Sequence, residues 1–253
     1  TNDRRQRQMC IRDRYTHTIG FEILGLIIMN KPQQLTFPWS KQNKFTFDDF
    51  FFDSPNEEVK LALKSNEDVF LYGAEDSGKS FLLQSTCNYY ASDYNSSVYI
   101  PISEAIKHGT GFIDSLEGLD LICLDDIDLI ASNKDWEVGI FNLINDCLSS
   151  NCRLIFSSCK NPSSINFELE DLRSRIKKID HIELYPISDE NLPEAIKFVS
   201  QLRSINLGNK EINYLVTYTK RNMSDLIKII SKLDQLSMEL KRKITIPLIK
   251  EII

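Results

Sequence analysis

The chain has 253 residues, 42% hydrophobic and 26% charged, an ordinary globular composition with enough length for one large domain or a larger plus a smaller one. Its formal net charge of −6 excludes a polycation that grips duplex DNA by bulk charge and leaves room only for a local basic patch. Six cysteines, at 10, 87, 123, 147, 152 and 159, form no CxxC pair, which argues against zinc and for buried reduced thiols in a cytosolic protein.

Residues 1–28 open with "TNDRRQRQMCIRDRYT", basic and patternless, followed by "IGFEILGLII", too short to span a bilayer and broken by Glu22. Met29 is a plausible start, and residues 1–28 are expected to be a non-native or disordered extension outside the functional argument. Residues 29–44 hold "QLTFPW" (34–39), a mostly apolar peptide kept extended by Pro38. It reads either as an arm packing on its own domain or as a docking peptide for another protein. "SKQNKFTFDDFFFDS" (40–54) suits a linker laid on a domain surface, and "PNEEVKLALKS" (55–65) reads as a helix with proline at its start.

From there apolar runs alternate with helical patterns. "VFLYG" (69–73), "SVYIPI" (97–102), "LDLICLD" (119–125), "RLIFSS" (153–158) and "HIELYP" (181–186) carry strand signals, with helices expected between them. This alternation predicts an α/β fold, a three-layer parallel sheet, over residues 45–186. After 187 helical periodicity takes over, predicting a small all-helical lid over 187–253. In "LIKIISKLDQLSMELKRK" (226–243) the stripe Leu226, Ile229, Ile230, Leu233 and Leu236 reads as lid core, and Lys241, Arg242 and Lys243 as a solvated helix end.

"GAEDSGKS", Gly73 to Ser80, matches the phosphate-loop pattern G-x-x-x-x-G-K-[ST] between a predicted strand and a predicted helix. Backbone N–H groups of Gly73, Ala74, Glu75, Asp76, Ser77 and Gly78 would curl toward phosphate oxygens, with the helix N-terminus adding positive potential around Phe81. Lys79 would neutralise the β and γ phosphates, and Ser80 would complete a Mg²⁺ shell. "LICLDDID" (121–128) supplies the acidic strand end: Asp125 to hold Mg²⁺ through water, Asp126 to polarise the attacking water. Asp128 reads as a solvated helix-capping residue.

The intact phosphate loop, the Asp-Asp and Ser157-Ser158 strand ends and the lid together resemble a P-loop AAA+ ATPase of the DnaA-like initiator clade. More closely they resemble its regulatory-inactivator (Hda) branch, in "WEVGIFNLIN" (136–145), "DLRSRI" (171–176), "LYPISDENL" (184–192), "LDQLS" (233–237) and "KRKITIPLIKEII" (241–253). The likeness runs from about Met29 to the C-terminus, and the last segment is the most specific.

The resemblance implies that QL-[ST]-hydrophobic-P binds the sliding clamp (the polymerase beta subunit): Gln34 in a polar pocket, Leu35 and Phe37 in an apolar groove, Pro38 holding the strand extended. Burying those two side chains gives roughly 3–6 kcal/mol before ordering costs, so one peptide binds weakly and a multi-site ring strengthens it. It also implies that Arg175, not its neighbour Arg173, is an arginine finger acting in trans on ATP held by the initiator DnaA. The plain alternative for Arg175 is a surface ion pair with Asp171. Two positions depart from the pattern: Cys159 stands where the clade carries an acidic residue, and Ser224 where it carries a second-sensor arginine. Ser157, Ser158 and Arg221 remain the sensor candidates, and with those departures intrinsic hydrolysis is expected to be slow. The implied activity is negative regulation of replication initiation by a cytoplasmic, nucleoid-associated adaptor holding ADP or ATP with Mg²⁺, meeting DNA only through the clamp, with self-association left open. The alternative is an autonomous AAA+ ATPase of replication, such as a helicase loader or a truncated initiator.

Overall fold

Five apolar runs become strands: β1 (Val69–Gly73), β2 (Ser97–Pro101), β3 (Leu121–Asp125), β4 (Arg153–Ser158) and β5 (Asp180–Leu184). The computed structural model, which describes residues 45–92 and 95–253, pairs them all in parallel in the order β2-β3-β4-β1-β5. β3 and β4 are buried along their whole lengths, which is why they read as continuous apolar runs rather than as alternating ones.

The strand period of two still sorts side chains between two cores. Phe70, Ile122, Leu124, Leu154 and Phe156 face one layer, where α4 (Lys134–Ser150) contributes Trp136 and Ile140 and α5 (Glu170–Ile176) contributes Leu172 and Ile176. Val69, Leu71, Leu121, Cys123 and Ile155 face the other, where α1 (Glu57–Lys64) lays down Val59 and Leu63 and α2 (Lys79–Ser92) lays down Leu82 and Leu83. This is the three-layer sheet that the alternation predicts.

The connection from β2 to β3 departs from the expected helix. It holds only α3 (Ile102–Ala105) and short 3₁₀ turns at Ile106–His108 and Ile113–Ser115. Gly109, Gly111 and Gly118 fall in this stretch, each about 1 kcal/mol less favourable than alanine in a helix, and too few turns are left to propagate one.

One buried cation organises the far end of the sheet. Arg153, at the start of β4, donates from Nη2 to Ala62 O (2.9 Å), from Nη1 to Leu63 O (3.0 Å) and from Nε to Glu67 O (2.7 Å). It thereby adds a charged donor to carbonyls of the last turn of α1 and of the loop just beyond it.

Four helices form the lid: α6 (Leu192–Leu202), α7 (Asn209–Tyr218), α8 (Met223–Leu240) and α9 (Ile246–Lys250). Leu226, Ile230 and Leu233 of the α8 stripe are buried with Leu192, Ile196 and Leu215 in a third core; Ile229 and Leu236 are half-buried. Asn222 caps α8 by accepting from Ser224 N (2.8 Å), and left-handed Lys241 (φ 50°) ends it. The aromatic segment before α1 packs down as well: Phe47 is buried, and Phe51 meets Phe198 of α6 with ring centroids 5.7 Å apart. Among the described residues no helix is long and apolar enough to cross a membrane.

Candidate nucleotide site

The carboxyl ends of β1, β3 and β4 share one edge of the sheet, because the register sets Leu71 beside Ser157, Tyr72 beside Ser158 and Leu124 beside Phe156. Ligands of open α/β sheets bind at this edge. A cavity of about 880 Å³ opens there, lined by the loop Ala74–Phe81, by Asp126 and Asp128, and by lid residues including Leu192 and Ser224.

The loop geometry follows from its residues. Gly78 has φ +101°, and a Cβ there would meet Phe50 Cε2 at 2.7 Å. Gly73 presses against the Leu184 carbonyl so closely that no side chain fits. Lys79 is buried, and its ammonium donates to Gly73 O (3.0 Å) and Ala74 O (2.7 Å) of its own loop. Ser77 Oγ is buried without a hydrogen-bond partner, so a polar atom in the cradle stands ready for an acceptor or donor from a ligand. These features fit the phosphates of a nucleotide. Around the mouth, the Phe81 ring packs at a tilt against Phe45 (4.4 Å between centroids) and Phe50 (5.8 Å).

The acidic end of β3 is more tightly bonded than its sequence suggests. Asp125 is buried, accepts from the Ser157 hydroxyl on one oxygen, and accepts from Tyr99 OH on the other (2.6 Å). Burial, then the Asp125 charge and hydrogen bond, push the Tyr99 phenol up, with smaller opposing contributions from Gln84 and Ser80. Ser80 is exposed to the cavity, and Mg²⁺ chemistry there would draw on its hydroxyl and on an Asp125 carboxylate already held by two donors.

Asp126 stands in the left-handed region (φ 59°, ψ 49°), its N–H donating to Ser157 Oγ (3.0 Å). Burial pushes its carboxyl above the usual range and Asp125 adds to this, while Lys79 pulls it down. Asp128 is not the solvated helix cap expected of it. It accepts from Ser158 Oγ (3.0 Å) and Cys159 N (3.4 Å), with Lys160 Nζ at 3.8 Å, so its task is to tie the turn after β3 to the end of β4.

On the lid side Arg221 lines the cavity, but its guanidinium is paired with Asp189. Ser224 and Cys159 also line the cavity. Partial desolvation pushes the Cys159 thiol up, against the pull of the Lys79 ammonium nearby.

Arg175 lies outside this cavity, on the last turn of α5. It is half-buried and, among the described residues, its guanidinium makes no hydrogen bond or ion pair; the alternative pair with Asp171 does not form. Arg173 is anchored to its own chain, donating from Nη2 to Phe167 O (2.6 Å). Gln34, Leu35, Phe37 and Pro38 lie outside the described residues. Tyr99 and Glu137 escaped the sequence reading. The only signal for Tyr99 was a tyrosine within an apolar strand.

Comparison with known proteins agrees with this architecture. The bacterial DnaA ATPase domain family matches residues 41–180, and the Hda lid domain family matches residues 189–253. An uncharacterized protein of Haemophilus influenzae is 29% identical over 231 residues, spanning 89% of this chain and 99% of that one. Domain III of the Thermotoga maritima replication initiation protein DnaA superposes with TM-score 0.73 at 19% identity, covering 85% of this chain and 99% of that chain. AMPPCP-bound DnaA from Aquifex aeolicus gives 0.67 at 23% identity, covering 79% and 68%. The Thermotoga maritima RuvB branch-migration motor gives 0.62 at 16%, covering 83% and 71%, so the fold extends beyond the initiators.

Proposed function

The chain belongs to the bacterial DnaA ATPase-domain family and carries an Hda-type lid, and from that premise we propose that it is a negative regulator of replication initiation that lends Arg175 to the ATP of a DnaA-type initiator. The observation that carries this reading is the state of Arg175: half-buried, without a partner among the described residues, and away from its own chain's nucleotide cavity. An arginine serving its own fold would be bonded as Arg173 is. Placed across a subunit boundary, a guanidinium stabilises charge developing on the γ-phosphate, an effect of about 10³–10⁵ in rate for GTPases.

The chain's own site is then a binding site for ADP or ATP rather than an engine. Of the cations lining its cavity, Lys79 sits buried within the loop itself, whereas Arg221 and Lys228 are exposed and face Asp189 and Asp225 (3.5 Å) in pairs that solvent leaves weak. Cys159 and Ser224 supply no charge where the clade has an acid and an arginine. Docking of Gln34, Leu35, Phe37 and Pro38 on a sliding clamp is part of the proposal and rests on the sequence. It would hold the protein at the nucleoid in the cytoplasm, where the initiator's ATP is cleaved.

The test is hydrolysis of ATP preloaded on a bacterial DnaA initiator, with clamp assembled on DNA. Wild-type protein should accelerate it, and Arg175→Ala should lose about 100-fold or more of that acceleration while binding ADP normally. An Arg175→Ala variant that accelerates like wild type overturns the finger. Alanine at Gln34, Leu35 and Phe37 together should abolish clamp pulldown, and unchanged pulldown overturns the docking step.

A further inference from the structure

Building on the proposed role of Arg175, we infer that Glu137 is the positioning residue for that arginine. Glu137 sits in the first turn of α4, buried to 1% exposure, far in sequence from α5. Its Oε1 accepts from Ser132 N (2.9 Å) and Glu168 N (3.1 Å), and its Oε2 accepts from Leu169 N (2.7 Å). One carboxylate thus takes three main-chain N–H groups from two separate segments. Ser132 follows the turn that leaves the acidic end of β3. Glu168 and Leu169 lead into the helix that carries Arg175.

The bonds fix what packing cannot. Phe167 and Leu172 share an apolar core with Trp136 and Ile140, which holds α5 against α4. Apolar attraction is non-directional, however, and leaves rotation and tilt soft. Hydrogen bonds to an ionised acceptor are directional and roughly twice as strong as neutral ones. α5 has no side-chain cap of its own at Leu169, so the carboxylate of a neighbouring helix sets its entry angle. Arg175 lies six residues past Leu169, about 9 Å along a helix, and a tilt of roughly 10° there would carry its backbone about 1.5 Å. Displacements of that size cost on the order of 10²-fold where a reacting group must be met.

Glutamine at 137 keeps the shape but has one acceptor oxygen, and its amide N–H₂ would face a main-chain donor. The experiment measures hydrolysis of labelled ATP preloaded on a DnaA initiator, with clamp on DNA, over a concentration series of wild type, Glu137→Gln, Arg175→Ala and the double variant. Glu137→Gln should lower the maximal rate 10- to 100-fold, with half-saturation and the affinity for fluorescent ADP both within twofold of wild type. The double variant should be no slower than Arg175→Ala alone, because both changes strike one device. Amide exchange over 168–175 should quicken at least tenfold in Glu137→Gln while the phosphate loop exchanges as before. If Glu137→Gln folds poorly, Leu169→Pro replaces it: φ at 169 is −76°, which suits proline, and the change deletes one N–H that the carboxylate receives. A wild-type maximal rate in the Glu137 variant beside a dead Arg175→Ala overturns the positioning role and spares the finger. So does a double variant clearly slower than Arg175→Ala. A wild-type protein that does not accelerate hydrolysis overturns the finger, and the role of Glu137 with it.

Discussion

Lys79 spends its ammonium on two carbonyls of its own loop, so phosphate must replace those contacts with stronger, charge-assisted ones. Lys79→Ala is expected to weaken fluorescent ADP binding at least 100-fold in titration, with little change in melting temperature measured without nucleotide. At Asp126 the pH effect has a definite sign. Its folded carboxyl is raised above the ordinary value of 3.8, by burial first and by Asp125 second. The folded state therefore favours the protonated form. The stabilising contribution is complete below the unfolded pKa and is lost as pH climbs through the folded one, leaving a penalty at neutral pH. Asp126→Asn should melt about 1–3 °C above wild type at pH 7.5, and the gap should close as pH falls toward 4. A variant no more stable than wild type at pH 7.5 would mean that the charge is compensated, Lys79 being the candidate. Asp125, by contrast, has both oxygens engaged by Tyr99 and Ser157, and the same substitution there would strand a hydroxyl.

At the level of elements, the parts legible in the sequence were those encoded locally. The loop Gly73–Ser80 was legible as a turn between a strand and a helix because its spacing and its flanking patterns are local, and β1 and α2 do flank it. β3 and β4 were legible because a fully buried strand needs an unbroken apolar run, and β5, an edge strand exposed at Asp180 and His181, because its apolar and polar residues alternate. What stayed hidden was non-local: Tyr99 meets Asp125 from a neighbouring strand, Asp128 was misread because its donors lie 30 residues on, and Glu137 works on segments on either side of it. The short connection after β2 was misjudged for a different reason, since alternation predicts that a crossover exists but not how much of it is helical. Arg153 is the strongest non-local case. It joins β4 to the end of α1, and it also donates to Tyr90 OH (3.0 Å) on α2. Arg153→Met should cost about 3 kcal/mol in urea unfolding, because several carbonyls lose a charged donor at once. ADP affinity should stay within a few-fold, since the nucleotide cavity is at the opposite end of the strands. A loss under 1 kcal/mol would mean that water replaces the guanidinium without strain.

For the whole molecule, the relevant fact is that among the described residues the buried apolar side chains fall into three clusters, two sandwiching the sheet and one confined to the lid. Lid and sheet share the nucleotide cavity, and the segment before α1 touches the lid at Phe51–Phe198 and through Asn191 Nδ2, which donates to Asp53 Oδ2 (3.5 Å). A small helical unit with a core of its own should be the first part to open. A nucleotide contacting both sides of the cavity would then act as the missing core. At a concentration of 100 times Kd it adds about 2.7 kcal/mol, which for a chain of this length raises the melting temperature by roughly 5–10 °C. Phe198→Ala removes the aromatic tie without touching the phosphate loop. It should leave the melting temperature without nucleotide within about 2 °C, because the sheet cores are untouched. It should also cut the ADP-dependent rise to less than half, because the ligand must now order the lid from a looser start. Lys79→Ala should erase that rise altogether. A Phe198→Ala protein with the full ADP-dependent shift would show that the lid stands in place without the aromatic tie, and that the nucleotide gains nothing from it.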